Sequence, residues 1–298
     1  MREKRGLVSI ILNCFNGEAY LHEAINSIKL QTYKNWELIF WDNQSTDRSK
    51  KILNSFKLDK LKYFYSEKHT SLYEARNLAE KKCEGEYIAF IDADDTWEKN
   101  KLEKQIKLFE NKLVGVVYGN LWIYNEKSKK RKIFSKDKLI KGIIDKKILS
   151  NYKIGIITSM IRKDLLIDNK IYFDKKYNHI GDFDLFIKLS RICEFDAVQA
   201  PVATYRIHGN NLSLKNSDRE ISELKSWLLE NKLLLNMEQK KQFSAIILNI
   251  EFINIKLNRS FAETFLFFIN HNYLWKNVKF FLLLLTPLFI LKKIMWYR

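Results

Sequence analysis

Short apolar runs broken by turn residues alternate with amphipathic stretches through the first half of the chain. Leu7 to Leu12, Trp36 to Trp41, Leu61 to Tyr65 and Glu86 to Ile91 have strand composition, and Tyr20 to Leu30, Arg48 to Phe56 and Tyr73 to Lys82 space their apolar residues as helices do. That alternation implies an α/β fold, a mostly parallel sheet with helices on both faces. A helix from Trp97 to Asn111 and a strand from Val114 to Trp122 follow, then a lysine-rich polar excursion from Asn125 to Lys141. Ile154 to Ile161 is apolar again, and Phe183, Leu185, Phe186 and Leu189 mark a helix over Asp182 to Ile192. Beyond Ser213 the pattern turns to long Leu/Lys/Glu stretches without strands, which sets a boundary near residue 215 between domains 1–215 and 216–298.

The run Tyr87 to Ile91 ends in Asp92-Ala93-Asp94-Asp95, three carboxylates in four residues that repel one another unless a cation sits among them. Ligands of open α/β sheets bind beyond the carboxyl ends of the strands. Asp92 and Asp94 there suit a divalent cation that also holds phosphate oxygens. The alternative is local: Asp95 or Thr96 caps the following helix. Two more polar clusters stand at strand ends, Asn13-Cys14-Phe15-Asn16-Gly17 and Asp42-Asn43-Gln44-Ser45-Thr46-Asp47. Phe15 can stack on a flat base and Asn43 can bond its edge, while turn chemistry explains the same residues without a ligand.

Composition narrows the classes. With 298 residues and 46% hydrophobic content the chain can bury a full core. The net charge of +17 attracts anionic partners, nucleic acid or acidic lipids. The lysines read as scattered, and a nucleic-acid module needs basic residues grouped with aromatic platforms, so no nucleic-acid partner is expected. Three distant cysteines, Cys14, Cys83 and Cys193, form neither a disulfide framework nor a metal spacing, which fits a reducing cytoplasm. The uncharged run Phe280 to Leu291 would cover about 18 Å as a helix, short of the roughly 30 Å hydrocarbon core. Flanked by lysines, Trp275, Trp296 and Tyr297, the segment 275–298 reads as an anchor lying in the membrane interface, or else as a core helix or dimer contact.

These motifs, with Gln31-Thr32-Tyr33, Glu74-Ala75-Arg76-Asn77, Gly181-Asp182-Phe183-Asp184-Leu185 and Tyr205-Arg206-Ile207-His208, resemble glycosyltransferase family 2, of GT-A fold, over residues 7 to 213. The resemblance implies an inverting transferase that uses a nucleotide-sugar donor, a UDP-sugar in the first place, and Mn²⁺ or Mg²⁺. By it Asn13, Phe15, Asn43, Arg76 and Asp92 bind the donor, Asp94 binds the metal, and His208 either joins the metal site or contacts phosphate. Asp182 falls on the catalytic base, with Asp184 as a rival, and Gly181 stands where the family usually has Glu. Asn43, in place of the usual Asp, leaves the base open. Together with the tail, the resemblance implies a lipid-linked saccharide acceptor for a surface polysaccharide and a place on the inner face of the cytoplasmic membrane. A nucleotidyltransferase is the rival enzyme, but its Gly-rich basic loop is missing after the first strand.

Overall fold

The computed structural model describes residues 5–211, 217–270 and 286. The chain forms two compact units, Met1–Gly209 and Asn210–Arg298.

The first unit is built on a nine-stranded sheet. Its first half is β1 (Val8–Cys14), α1 (Leu21–Lys29), β2 (Trp36–Asp42), α2 (Ser49–Ser55), β3 (Leu61–Tyr65), α3 (Leu72–Glu80) and β4 (Tyr87–Asp92). There follow β5 (Thr96–Trp97), α4 (Lys101–Leu108), β6 (Val114–Asn125), β7 (Lys130–Ile133), β8 (Met160–Arg162), α5 (Lys163–Asp168), α6 (Gly181–Ser190) and β9 (Glu194–Ile207). The strand order is β3-β2-β1-β4-β8-β6-β9-β5, with β7 paired to β6. The expected parallel sheet is present as β3-β2-β1-β4, and beyond β4 the sheet is mixed, with β8 antiparallel to both neighbours. β1 and β2 are buried at every position, as a strand covered on both faces must be. Register decides the rest: Asn13 lies opposite Asp92, and Cys14 opposite Asp42, so three polar clusters emerge on one sheet edge.

Four elements differ from the pattern in the sequence. The helix expected from Trp97 starts at Lys101, because Thr96 and Trp97 pair with Thr204 and Ala203 of β9. The excursion after Asn125 is a hairpin in which β7 returns along β6, its lysines on an edge strand where charge discourages further pairing. Ile154 to Ile161 divides into a 3-10 turn, Ile156–Thr158, and the short β8. β9 left no clear sequence signal: Pro201 lies inside it, and its pairing with β6 slips register on either side of Asn120.

The second unit has α7 (Ser217–Asn231), α8 (Met237–Asn258) and α9 (Phe261–Asn270). A capping box starts α8, Asn236 accepting from the Gln239 N–H while Gln239 accepts from that of Asn236. Trp227 packs edge-on to Phe243, and Phe252 packs on Phe268. The segment 275–298 and residues Leu212 and Ser213 lie outside the described residues, apart from Thr286. Among the described residues no helix is long and apolar enough to cross a membrane.

Candidate functional site

The acid cluster at the end of β4 is sorted by its neighbours. Asp92 lies 2.6 Å from Nη2 of Arg76, a buried arginine on α3 whose guanidinium is flanked by the rings of Tyr73 and Phe173. Burial opposes the Arg76 charge, but Asp92, Tyr73 and Asp182 together outweigh it and leave the pKa above the ordinary arginine value. The Asp94 Oδ2 and the His208 Nε2 stand 2.9 Å apart. Burial, and then the charge of Asp92, raise the Asp94 carboxyl. Asp95 is buried and accepts the Arg206 N–H at 2.8 Å; burial, then Asp94 and Asp92, push its pKa well above the carboxylate range. A carboxyl shifted in that direction sheds charge, which eases the crowding that the three acids imply. Asp95 does not cap a helix: it ties the end of β9 to the cluster.

Beside it Arg206 donates from Nε to the Asp94 carbonyl at 3.0 Å, pairs with Glu23 and lies over the Tyr20 ring. The Tyr20 ring packs at a tilt against that of His208, their centroids 4.8 Å apart, and its hydroxyl donates to Glu126. Burial and Glu126 push the Tyr20 pKa up to about 12, so it stays a donor.

Asp182 lies in the first turn of α6. Its Oδ1 accepts from the Phe183 N–H at 2.9 Å and lies 3.2 Å from the Tyr73 hydroxyl, which also reaches the His179 carbonyl at 3.0 Å. Burial raises its pKa and Arg76 partly opposes the rise. Asp184 is buried on the same helix and paired with Lys188 at 2.6 Å. That ion pair occupies the rival carboxylate. Gly181 has a steric cause: a Cβ there would lie 2.6 Å from the Tyr73 ring.

On the other side of the cluster, Asn13 donates to the Leu72 carbonyl at 3.4 Å, and its buried Oδ1 has no partner among the described residues. An orphaned acceptor in a crevice is costly unless a ligand reaches it. Phe15 is 53% exposed, free to stack, with its ring 4.4 Å from that of His69. Asn43 is more committed: Oδ1 accepts from both the backbone N–H and the hydroxyl of Thr70, each at 3.1 Å, and Nδ2 donates to the Thr70 carbonyl at 2.8 Å. One amide hydrogen is left for a base, so of the two bonding roles open to an Asn this conformation leaves Asn43 the donor's.

The structure thus brings Arg76, Asp92, Asp94, His208 and Asp182 into one connected cluster, and sets Phe15 and Asn43 in another at the ends of β1 and β2. Sequence reasoning leaves His69 as a structural or solvent residue with only a weak outside claim on the site, and its Nδ1 lies 2.9 Å from the Asn43 carbonyl beside Phe15. It also missed Tyr73, whose position three residues before Arg76 on one helix was the available signal.

Asp94 and His208 present an oxygen and a nitrogen to one point, which fits a cation completed by ligand oxygens and water. Among the described residues no group of three or more His, Cys, Asp or Glu side chains forms a closed protein cage.

Residues 9–174 match the family described as glycosyl transferase family 2. Over 209 residues the chain is 32% identical to the UDP-Glc:α-D-GlcNAc-diphosphoundecaprenol β-1,3-glucosyltransferase WfgD of Escherichia coli, covering 70% of this chain and 79% of that one. The crystal structure of S. aureus TarS 1–349 superposes with a TM-score of 0.65 at 21% identity, covering 86% of this chain and 76% of that one. TarS has also been solved with UDP and with UDP-GlcNAc. The mannosyltransferase PcManGT of Pyrobaculum calidifontis, solved with GDP-Man and Mn²⁺, gives a TM-score of 0.56 at 14% identity, covering 81% and 74%.

Proposed function

The chain belongs to glycosyl transferase family 2, with the GT-A fold, and on that premise we propose that it is a metal-dependent inverting transferase that moves a sugar from a UDP-sugar to a hydroxyl of a lipid-linked saccharide. The observation that carries the reading is the cluster at the carboxyl end of β4, where Arg76–Asp92 and Asp94–His208 are joined, through Arg76, by the carboxylate of Asp182. The UDP preference and the diphosphate-lipid acceptor draw on WfgD and TarS, whose names carry UDP-Glc, diphosphoundecaprenol and UDP-GlcNAc. A place on the inner face of the cytoplasmic membrane follows from such an acceptor.

In this mechanism Phe15 stacks on the base, Arg76 and Asp92 hold the ribosyl-diphosphate, and the unpartnered Asn13 Oδ1 accepts a donor hydroxyl. Asp94 and His208 would hold Mn²⁺ or Mg²⁺, which neutralises charge on the leaving diphosphate. Asp182 takes the acceptor proton as the new C–O bond forms, and its raised pKa brings it nearer to the pKa of a working general base. Tyr73 holds Asp182 in place and stays protonated, because burial and the Asp182 charge raise its own pKa well above the ordinary value.

The test is thermal-shift screening of UDP, GDP, dTDP and CMP with Mn²⁺ or Mg²⁺, followed by hydrolysis of the matching donor sugar. Stabilisation by UDP with metal and slow donor hydrolysis is expected. Stabilisation by none of the four would overturn the reading.

A further inference from the structure

The lysines are not scattered once the chain is folded. Residues 127–147 hold ten Lys or Arg and two acids, Asp137 and Asp145, so nearly half of this stretch is basic, against 52 of 298 residues in the whole chain. The folded form gathers the first of them on one hairpin, where Asn125 pairs with Lys130, Tyr124 with Arg131 and Ile123 with Lys132. Lys127, Lys129, Lys130, Arg131, Lys136 and Lys138 are all exposed. Burial, and then the charge of Lys136, lower the Lys132 ammonium, which is how like charges held close together behave. Part of the charge is spent locally: Arg131 pairs with Glu98 and covers Trp122, Lys153 takes Asp137, and Lys141 faces Asp196 at 3.7 Å. Two large apolar side chains stand exposed within the same stretch, Phe134 at 41% and Ile143 at 74%.

We propose that the β6–β7 hairpin and the loop after it, residues 127–147, form a docking surface for an anionic membrane, with lysines on the headgroups and Phe134 and Ile143 entering the interface. Charge complementarity selects the occupant: clustered lysines with interspersed apolar residues match the negative inner leaflet. A single-stranded nucleic acid asks instead for stacked aromatic platforms, and among the described residues of this stretch Phe134 is the lone exposed aromatic. The position adds purpose. Glu126, at the root of the hairpin, accepts the Tyr20 hydroxyl and donates its N–H to the Ile207 carbonyl at 3.0 Å, and the Tyr20 ring packs on His208. Docking by this hairpin sets the Asp94–His208 end of the site against the headgroups, where a lipid-linked acceptor presents its saccharide. This deepens the proposed function and takes its purpose from it, but docking requires neither donor nor acceptor.

The experiment is co-sedimentation of the full chain with vesicles of phosphatidylcholine alone or with about 30% phosphatidylglycerol, a composition rich enough in anionic lipid to give a negative surface potential, without substrates. Binding to the anionic vesicles alone, weakened by salt, is expected. The combined variant Lys127→Gln, Lys129→Gln, Lys130→Gln, Lys136→Gln should lower the partition coefficient by about 100-fold or more, at roughly fivefold per lysine. The matching Lys→Arg variant should keep binding, as should a control with Lys51, Lys57, Lys81 and Lys112 changed to Gln. Unchanged vesicle binding by the first variant, with the segment 275–298 left to hold the membrane, overturns the proposal. So does loss of heparin retention without loss of vesicle binding, which would make the patch a site for a soluble polyanion. Vesicle docking without nucleotide-dependent stabilisation would sink the transferase reading and leave the docking surface standing.

Discussion

The ring of Tyr73 occupies the space that a side chain on residue 181 would need, with a Cβ there only 2.6 Å from two of its atoms and 2.7 Å from a third. Gly181 and the aromatic ring form one unit: the missing side chain admits Tyr73, and its hydroxyl reaches Asp182 at 3.2 Å. Where the family resemblance leads to a Glu being expected before the Asp proposed as the base, this chain has a phenol donating to that Asp.

Tyr73→Phe keeps the ring and removes the donor. A hydrogen bond to a charged group contributes about 1.5–3 kcal/mol, so kcat should fall by about 10-fold to 100-fold with the donor KM nearly unchanged. Because the Tyr73 hydroxyl lowers the Asp182 pKa, its loss should move the acidic limb of the kcat–pH profile to higher pH. A variant with an unmoved limb would show that Tyr73 only packs. Gly181→Ala should cost about 1–3 kcal/mol by overpacking, read as a lower urea midpoint, and Tyr73→Leu in the same chain should recover most of it.

The second prediction concerns the cation. Asp94→Ala leaves His208 as the remaining donor of the pair, so it should abolish transfer and remove the metal-dependent part of UDP stabilisation. His208→Ala keeps the carboxylate and should weaken metal affinity, read from the metal dependence of UDP stabilisation, by at least the roughly 10–100-fold that loss of a mere supporting partner costs a metal site. Full transfer in the presence of a chelator would exclude a metal at Asp94.

The parallel half of the sheet was legible because β1, β2 and β4 are continuous apolar runs, and the polar residues at their ends therefore had to share an edge. Asp92 and Asp94 could be picked out by position in the same way, whereas Asp182, in the first turn of a helix, was reached only through the family resemblance. The second half was not legible. β5 is two residues long, β9 carries Pro201 and a register slip, and both gain their structure from pairing with distant strands. The same holds for function: Asp95 shows as a buried tie to Arg206, and Tyr73 as a partner of Asp182, only once β9 and α6 are placed. The lysine-rich excursion was visible in the sequence, but its gathering on one hairpin was not until β7 folded back on β6.

Lys101 gives a prediction about stability. Its side chain is fully buried, donates to Gln105 Oε1 at 2.6 Å and lies over the Trp97 ring, and burial drives its pKa well below the ordinary lysine value. Between the lowered folded pKa and the ordinary unfolded one, the unfolded chain binds the extra proton, so stability rises with pH by up to about 1.4 kcal/mol per unit. Lys101→Met keeps the length and removes the ammonium. It should be neutral or stabilising by about 1–3 kcal/mol near neutral pH and should flatten that rise, as read by urea unfolding between about pH 6 and pH 9, the span below the reference lysine pKa. A steeper slope in the variant would mean that Lys101 is not the group titrating.

The assignment of the base rests on two carboxylates of one helix. Asp182 and Asp184 both lie in the first turn of α6, so either could respond to the helix N-terminus, and charge alone does not separate them. Their partners do. Asp184 is buried against Lys188, whereas Asp182 is held by the Phe183 N–H and the Tyr73 hydroxyl within reach of the Arg76 charge. Asp182→Asn retains the volume and can still accept the Phe183 N–H, but it has no basic oxygen. It should lower kcat by about 10²-fold to 10⁴-fold while UDP binding stays close to that of the parent, since the loss falls on the chemical step. Asp184→Asn should act through the fold instead: it leaves Lys188 without its partner and lowers the unfolding midpoint while kcat falls much less. Turnover above about a tenth of the parent in Asp182→Asn, smaller than the loss of a general base allows, would remove Asp182 from that role.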